Sequence, residues 1–126
     1  MKKIIRTLNA PAPIGPYSQA VLIGDTLYTS GQIALHPETG ELLLDDIKIE
    51  TEQVMENMKA VLKAADMTFE NVVKTSIFIA DMDDFADINE VYGRYFSDDS
   101  APARETVQVA RLPKNVNVEI SMIAVL

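Results

Sequence analysis

The spacing of hydrophobic positions changes several times along this 126-residue chain, and each change marks an element. From about Ile49 to Ala65 the apolar residues Val54, Met58, Val61, Leu62 and Ala65 recur at helical spacing, while Glu50, Glu52, Glu56, Lys59 and Lys63 fall outside that stripe. The pattern predicts a helix entered through Asp45-Asp46. A second helix is predicted from an N-cap at Asp83 or Asp84 through Phe96, with Phe85, Ile88, Tyr92, Tyr95 and Phe96 as its stripe. Between the two, Val72 to Ile79 is rich in β-branched residues and alternates loosely, which predicts a strand. Ala20–Ile23 and Thr26–Ser30 flank Gly24-Asp25 as a short hairpin, and Gly31 ends its second strand. Two more strand-like runs close the chain, Thr106–Ala110 and Val116–Leu126.

The order is therefore two strands, helix, strand, helix, two strands. That order predicts an α+β domain over residues 1–126, a mixed sheet with both helices packed on one face. Such a sheet leaves its other face to be covered, and a partner subunit is the expected cover. On the last strand Val116, Val118, Ile120 and Met122 share one face, while Asn117, Glu119 and Ser121 begin the other, followed by Ile123 and Val125. Glu119 is thus expected on a half-polar surface of the kind that lines an interfacial cleft.

Composition narrows the function classes. The chain has no cysteine, which removes disulfides, a thiol nucleophile and thiolate metal ligation. A formal net charge of -8 repels phosphate backbones, and no Lys/Arg cluster with interleaved aromatics opposes it, so no nucleic-acid partner is expected. No apolar run approaches a membrane span or signal-peptide core, so no membrane partner is expected and the cytoplasm is the expected compartment.

Against that negative field Arg104, at the start of a strand-like run, stands out. Its planar fork of donors matches a carboxylate ligand, and Glu119 on the last run is suited to order or deprotonate a water. Tyr17, in the Pro-rich loop Asn9–Pro16 and its continuation, has no periodic place in a core. Other candidates read as structural. His36 is the lone histidine and precedes Pro37 in a turn, so a metal site on it is not expected. Asp81-Met82-Asp83-Asp84 lacks the ligand spacing and central glycine of a calcium loop and suits helix capping. Ser30-Gly31 lacks the flanking glycines of a nucleophile elbow, and five glycines form no phosphate-cradling loop. Arg111, before Leu112-Pro113, reads as a solvated or structural charge.

Read together, Gly15-Pro-Tyr-Ser-Gln-Ala20, Thr29-Ser-Gly-Gln-Ile33, Gln53 to Leu62, Asn89-Glu-Val-Tyr92, Pro102-Ala-Arg104 and Val109-Ala-Arg-Leu-Pro113 resemble the reactive intermediate deaminase (Rid) family, closest to its RidA subgroup. The resemblance runs from about Asn9 to the C-terminus. It implies a chorismate-mutase-like fold assembled as a homotrimer with intersubunit clefts. It also implies hydrolysis of 2-imino and enamine acids such as 2-aminoacrylate, 2-iminopropanoate and 2-iminobutanoate to 2-oxo acids and ammonia, with no cofactor and no metal. By the same resemblance Arg104 grips the substrate carboxylate and Glu119 activates water. Tyr17 walls the cleft from the neighbouring subunit, Ser30 and Gly31 offer polar contacts, and Asn89 supports the pocket. Thr106 stands where many members have cysteine and keeps a hydroxyl for a substrate oxygen. Glu105, between them, is expected to point away from Arg104. Two other functions compete. One is a trimer that binds a small carboxylate such as 2-oxobutanoate as a sensor, without turnover. The other is endoribonuclease activity, which the acidic charge and single histidine oppose.

Overall fold

The computed structural model describes residues 1–126. Its elements are β1 (Lys3–Ile5), β2 (Ala20–Ile23), β3 (Thr26–Thr29), α1 (Ile47–Ala64), β4 (Val72–Ile79), α2 (Phe85–Tyr92), β5 (Ala103–Gln108) and β6 (Val118–Val125). The six strands form one mixed sheet in the order β1-β2-β3-β6-β4-β5, in which only β4 and β5 run parallel. Both helices cover the same face, as the alternation of element types predicted.

Local chemistry explains the helix starts. The Asp46 side chain accepts from the backbone N–H groups of Lys48 at 2.7 Å and Ile49 at 3.3 Å, satisfying donors that the first turn of α1 leaves free. The expected cap of the second helix differs. Asp84 occupies the N-cap position of α2 but makes no side-chain cap, and Asp81 caps the preceding 3-10 turn by accepting from Asp83 N–H. The helix also stops at Tyr92 and continues only as a 3-10 turn over Gly93–Tyr95, short of the predicted Phe96, because Gly93 weakens the helix at that point.

Three further expectations need correction. A short sixth strand, β1, pairs with β2 through Ile5 and Ala20; three residues are too few to carry a visible alternation. β5 begins at Ala103 and so includes Arg104, rather than opening at Thr106. Glu50, assigned to the polar side of α1, is fully buried along with Thr51 and Asn57. Each of the latter two uses its polar group on a main-chain carbonyl: Thr51 Oγ1 donates to Ile47, and Asn57 Nδ2 donates to Ile33 and Leu35.

The core lies between the helices and the sheet, where Val54, Met58, Val61, Leu62 and Ile88 meet Leu27, Ile77, Ile79, Val118, Ile120 and Met122. Burial alternates residue by residue along β6, with Val118, Ile120, Met122 and Ala124 buried and Glu119, Ser121, Ile123 and Val125 partly open. The open face carries a run of cross-strand neighbours: Val21 beside Tyr28, Tyr28 beside Ile123, and Phe78 beside Val107. Tyr28 is 48% exposed and Val107 40%, so no helix of the chain covers this side. No helix is long and apolar enough to cross a membrane.

Candidate active site

Arg104 sits on edge strand β5 with its side chain on the helix side of the sheet. Its Nη1 donates to Asn89 Oδ1 on α2 at 2.7 Å, and its guanidinium carbon lies 5.0 Å from the Tyr92 ring centre and 5.7 Å from that of Phe85. Two aromatic faces and one amide oxygen thus fix the plane of the fork. The platform is itself anchored, because the Tyr92 hydroxyl shares a 2.8 Å hydrogen bond with Thr75, the strand neighbour of Arg104. No carboxylate lies within 4.0 Å of the guanidinium. Glu105 points the other way as alternation predicts, pairing with Lys74 at 2.8 Å and accepting from Ser76 at 3.2 Å. Arg104 and Asn89 line a cavity of about 420 Å³ with Tyr92, Phe96, Asp98 and Pro102.

Glu119 sits on the opposite face. Between the pairs Tyr28–Ile123 and Gln32–Ile120, three residues on one side (Thr29, Ser30, Gly31) face two on the other (Ser121, Met122). This is a bulge, held by Met122 N–H donating to Thr29 Oγ1 and by paired bonds between Gln32 and Ile120. It carries Gly31 directly over the Glu119 side chain, so that a Cβ built at Gly31 would lie 2.7 Å from the Glu119 carboxyl carbon. Only glycine permits that approach. Burial pushes the Glu119 carboxyl above the usual carboxylate range.

A cavity of about 510 Å³ gathers Glu119 with Tyr17, Ser30, Gly31, Ile14, Ile33, Pro113 and Lys114. Within it Ser30 Oγ donates to the Ser18 carbonyl at 2.6 Å, which leaves its lone pairs rather than its proton for a ligand. The Tyr17 hydroxyl accepts from Ile14 N–H at 3.3 Å. Tyr17, expected to wall the cleft from a neighbouring subunit, shares a cavity with Glu119 within one chain. The loop bearing it is tied down by Gln19, whose buried amide binds both Thr7 main-chain groups and the carbonyls of Ala10 and Pro11. Sequence reading missed this anchor, and also Lys114, whose left-handed backbone (φ 55°) has no compositional signal.

Arg104 and Glu119 of one chain do not meet. In the register of β4, Arg104 stands beside Thr75 and Glu119 beside Phe78, with β4 between their strands. Two strand spacings and three residue rises separate their Cα atoms by about 14 Å, and their side chains leave opposite faces. Single small molecules cannot touch both within one chain.

Thr106, on the Arg104 face, has a buried hydroxyl without any hydrogen-bond partner. An orphaned buried polar group costs about 1–3 kcal/mol. Thr106→Val is expected to raise the melting temperature of the ligand-free protein; unchanged or lower stability in a thermal melt would show that the hydroxyl is satisfied. His36 is structural: its Nδ1 accepts from the N–H groups of Glu38 and Thr39 in the turn.

The family profile described as Endoribonuclease L-PSP matches residues 7–126. A mouse relative named 2-iminobutanoate/2-iminopropanoate deaminase is 49% identical over 125 residues, 99% of this chain and 92% of that one. Among solved structures, a Yersinia pestis protein described as belonging to the conserved Rid protein family superposes with a TM-score of 0.97 at 46% identity, covering 100% of both chains. Escherichia coli TdcF, solved with bound serine, gives 0.93 at 47% identity over 98% of each chain. With its profile match, its relatives and its fold all in agreement, the chain belongs to the Rid family, the group described by the endoribonuclease L-PSP profile.

Proposed function

We propose that the protein is a hydrolytic deaminase of 2-imino and enamine acids, working as a homotrimer whose sites each join the Arg104 half of one subunit to the Glu119 half of the next. The observation that supports this most is the pairing of an aligned arginine free of carboxylate partners with a half-buried carboxylate, on opposite faces of one sheet. Two non-identical half-sites suit a head-to-tail contact, which closes into a ring. The exposed apolar face beside Glu119 is the surface that such a contact buries.

In this reading the Arg104 fork takes the substrate carboxylate, and Glu119 takes a proton from water as the oxygen adds to the C=N carbon. Glu119 passes that proton to the imine nitrogen, giving a neutral carbinolamine and restoring the carboxylate. Glu119 then takes the carbinolamine hydroxyl proton and delivers it to the amine as the C–N bond breaks, releasing ammonia and the 2-oxo acid. Asn89 holds the fork, Tyr17 walls the cleft, the Gly31 N–H stays free of any partner in the chain, and Thr106 offers its hydroxyl to a bound ligand. Imines already hydrolyse in water, so orientation of substrate and water carries most of the catalysis.

The deciding assay couples purified threonine dehydratase to semicarbazide trapping. The protein is expected to divert 2-iminobutanoate to 2-oxobutanoate before it is trapped. No diversion by an assembled protein would favour the second reading, a small-carboxylate sensor, which finds support in the serine-bound TdcF structure and in a Lactococcus lactis relative, 50% identical, named as a candidate regulator, AldR. Mass measurement in solution tests the assembly, with three chains of 13.9 kDa expected.

Turnover is expected to rise with pH through the titration of Glu119, with a midpoint above the ordinary 4.5, because only the ionised carboxylate accepts a proton. For stability the sign is reversed. A carboxyl raised by folding favours the folded state below its unfolded pKa, and that contribution is lost as pH rises through the folded value. Glu119→Gln should therefore lose turnover while holding or gaining stability at neutral pH; a melt showing clear destabilisation would contradict the role of burial.

A further inference from the structure

Glu50 is the one fully buried carboxylate of the chain, and the reaction above leaves it unused. It stands in the first turn of α1, where its two oxygens grip a single residue. Oε2 accepts from Asn117 N–H at 2.8 Å and Oε1 from Asn117 Nδ2 at 2.7 Å. No lysine or arginine lies within 4.0 Å to offset its charge. The Asn117 carbonyl is also taken, by Ala80 N–H at 3.0 Å. Burying a carboxylate with hydrogen bonds but no cation is a costly way to join a helix to a strand, since a well-packed apolar contact does the same.

What Asn117 controls explains the arrangement. Two residues later comes Glu119, and one further is Ile120, locked to Gln32 by bonds of 2.8 and 3.1 Å. The chain is thus pinned on both sides of Glu119. On the other side of Asn117, Lys114 and Asn115 both hold left-handed backbone, with φ of 55° and 56°. Two successive non-glycine residues in that region persist only where their surroundings over-determine them. The same loop, through Pro113 and Lys114, forms a wall of the Glu119 cavity. Its upstream end is fixed by Arg111 Nε donating to Asn115 Oδ1 at 2.7 Å, and its downstream end by Asn117.

We propose that Glu50 is a positioning residue which, through Asn117, sets both the seat of Glu119 over Gly31 and the Pro113–Lys114 wall of the cavity. The inference rests on the deaminase reading for its kinetic consequence but not for its structural one. Burial raises the Glu50 carboxyl above its ordinary range and Asp84, at the start of α2, raises it further, while the Asn117 bonds and the nearby Val118 N–H oppose the shift.

Glu50→Gln and Glu50→Met separate positioning from packing. In Glu50→Gln, the new carbonyl still accepts the Asn117 N–H, and the Asn117 amide can turn its oxygen, which has no other partner, toward the new NH₂ group. In Glu50→Met both acceptors are gone at similar volume. Expected are turnover within about threefold of wild type for Glu50→Gln and a kcat loss of ten- to a hundredfold for Glu50→Met, the scale of a misplacement near 1 Å. KM should hardly move, because the carboxylate grip belongs to Arg104. The ¹³C-carboxyl titration of Glu119 gives a second readout independent of turnover: it should lie above 4.5 in wild type and Glu50→Gln, and fall back toward that value in Glu50→Met as the side chain swings out.

If Glu50→Met does not fold, Asn117→Ser, which removes only the side-chain bond, should shift the same titration partway. A folded Glu50→Met with wild-type kcat and an unmoved Glu119 titration overturns the proposal. Equal losses in both Glu50 variants with a raised KM do so too. Should wild type fail to divert imine, the deaminase reading falls, and the titrations alone still decide whether Glu50 seats Glu119.

Discussion

Arg104→Ala is expected to lower kcat/KM for 2-iminobutanoate by two to four orders of magnitude without unfolding the protein. A fork that meets both carboxylate oxygens contributes two charge-assisted bonds at about 1.5–3 kcal/mol each, and about 1.4 kcal/mol is a factor of ten. The side chain is exposed, so its loss opens no core cavity. Arg104→Lys should recover little, because an ammonium cannot reproduce the aligned fork over Tyr92 and Phe85. Mixing gives a sharper result. When inactive Arg104→Ala and Glu119→Gln chains are co-refolded in equal amounts, about one interface in four joins an intact Arg104 to an intact Glu119, as random assembly of a closed ring requires. Partial recovery of activity marks a site shared between chains. No recovery, with mixed assembly verified by mass, would show that each chain holds a complete site.

Gly31→Ala is the second large effect. Its added methyl must occupy space held by the Glu119 carboxyl group, and the backbone on either side of Gly31 cannot retreat, being bonded to Gln19 through Ser30 and to Ile120 through Gln32. The carboxylate is the softer party and swings aside. A shift of about 1 Å in a catalytic group costs on the order of a hundredfold in rate. Stability should fall by about 1–3 kcal/mol at most, the usual range for overpacking. Near-normal turnover in Gly31→Ala would mean that the seat over Gly31 is not the working position of Glu119.

Much of this arrangement was legible in the sequence, and the limits are instructive. The alternation of β6 placed Glu119 on the open face correctly, because period-two burial is imposed by the pleat itself. Arg104 was recognisable as a lone strand-borne arginine in an acidic chain, though the start of its strand was set too late. Alanine and proline give no strand signal, while the parallel pairing to β4 extends β5 back to Ala103. Glu50, Asn57 and Gln19 escaped for a common reason. Polar residues read as exterior from pattern alone, yet each finds main-chain partners 8 to 67 residues away in sequence. Such bonds exist only after the chain is folded. The bulge at Thr29–Gly31 belongs to the same class, since it is a mismatch of count between two strands rather than a property of either.

Because Arg104 and Glu119 leave opposite faces of one sheet, a solitary chain, on the proposed shared-site reading, would carry every part of the chemistry and perform none of it. Specific activity should accordingly collapse on dilution below the subunit dissociation constant, more steeply than protein is lost, and return on reconcentration. Activity would then show a threshold in protein concentration, where a monomeric enzyme would respond in proportion.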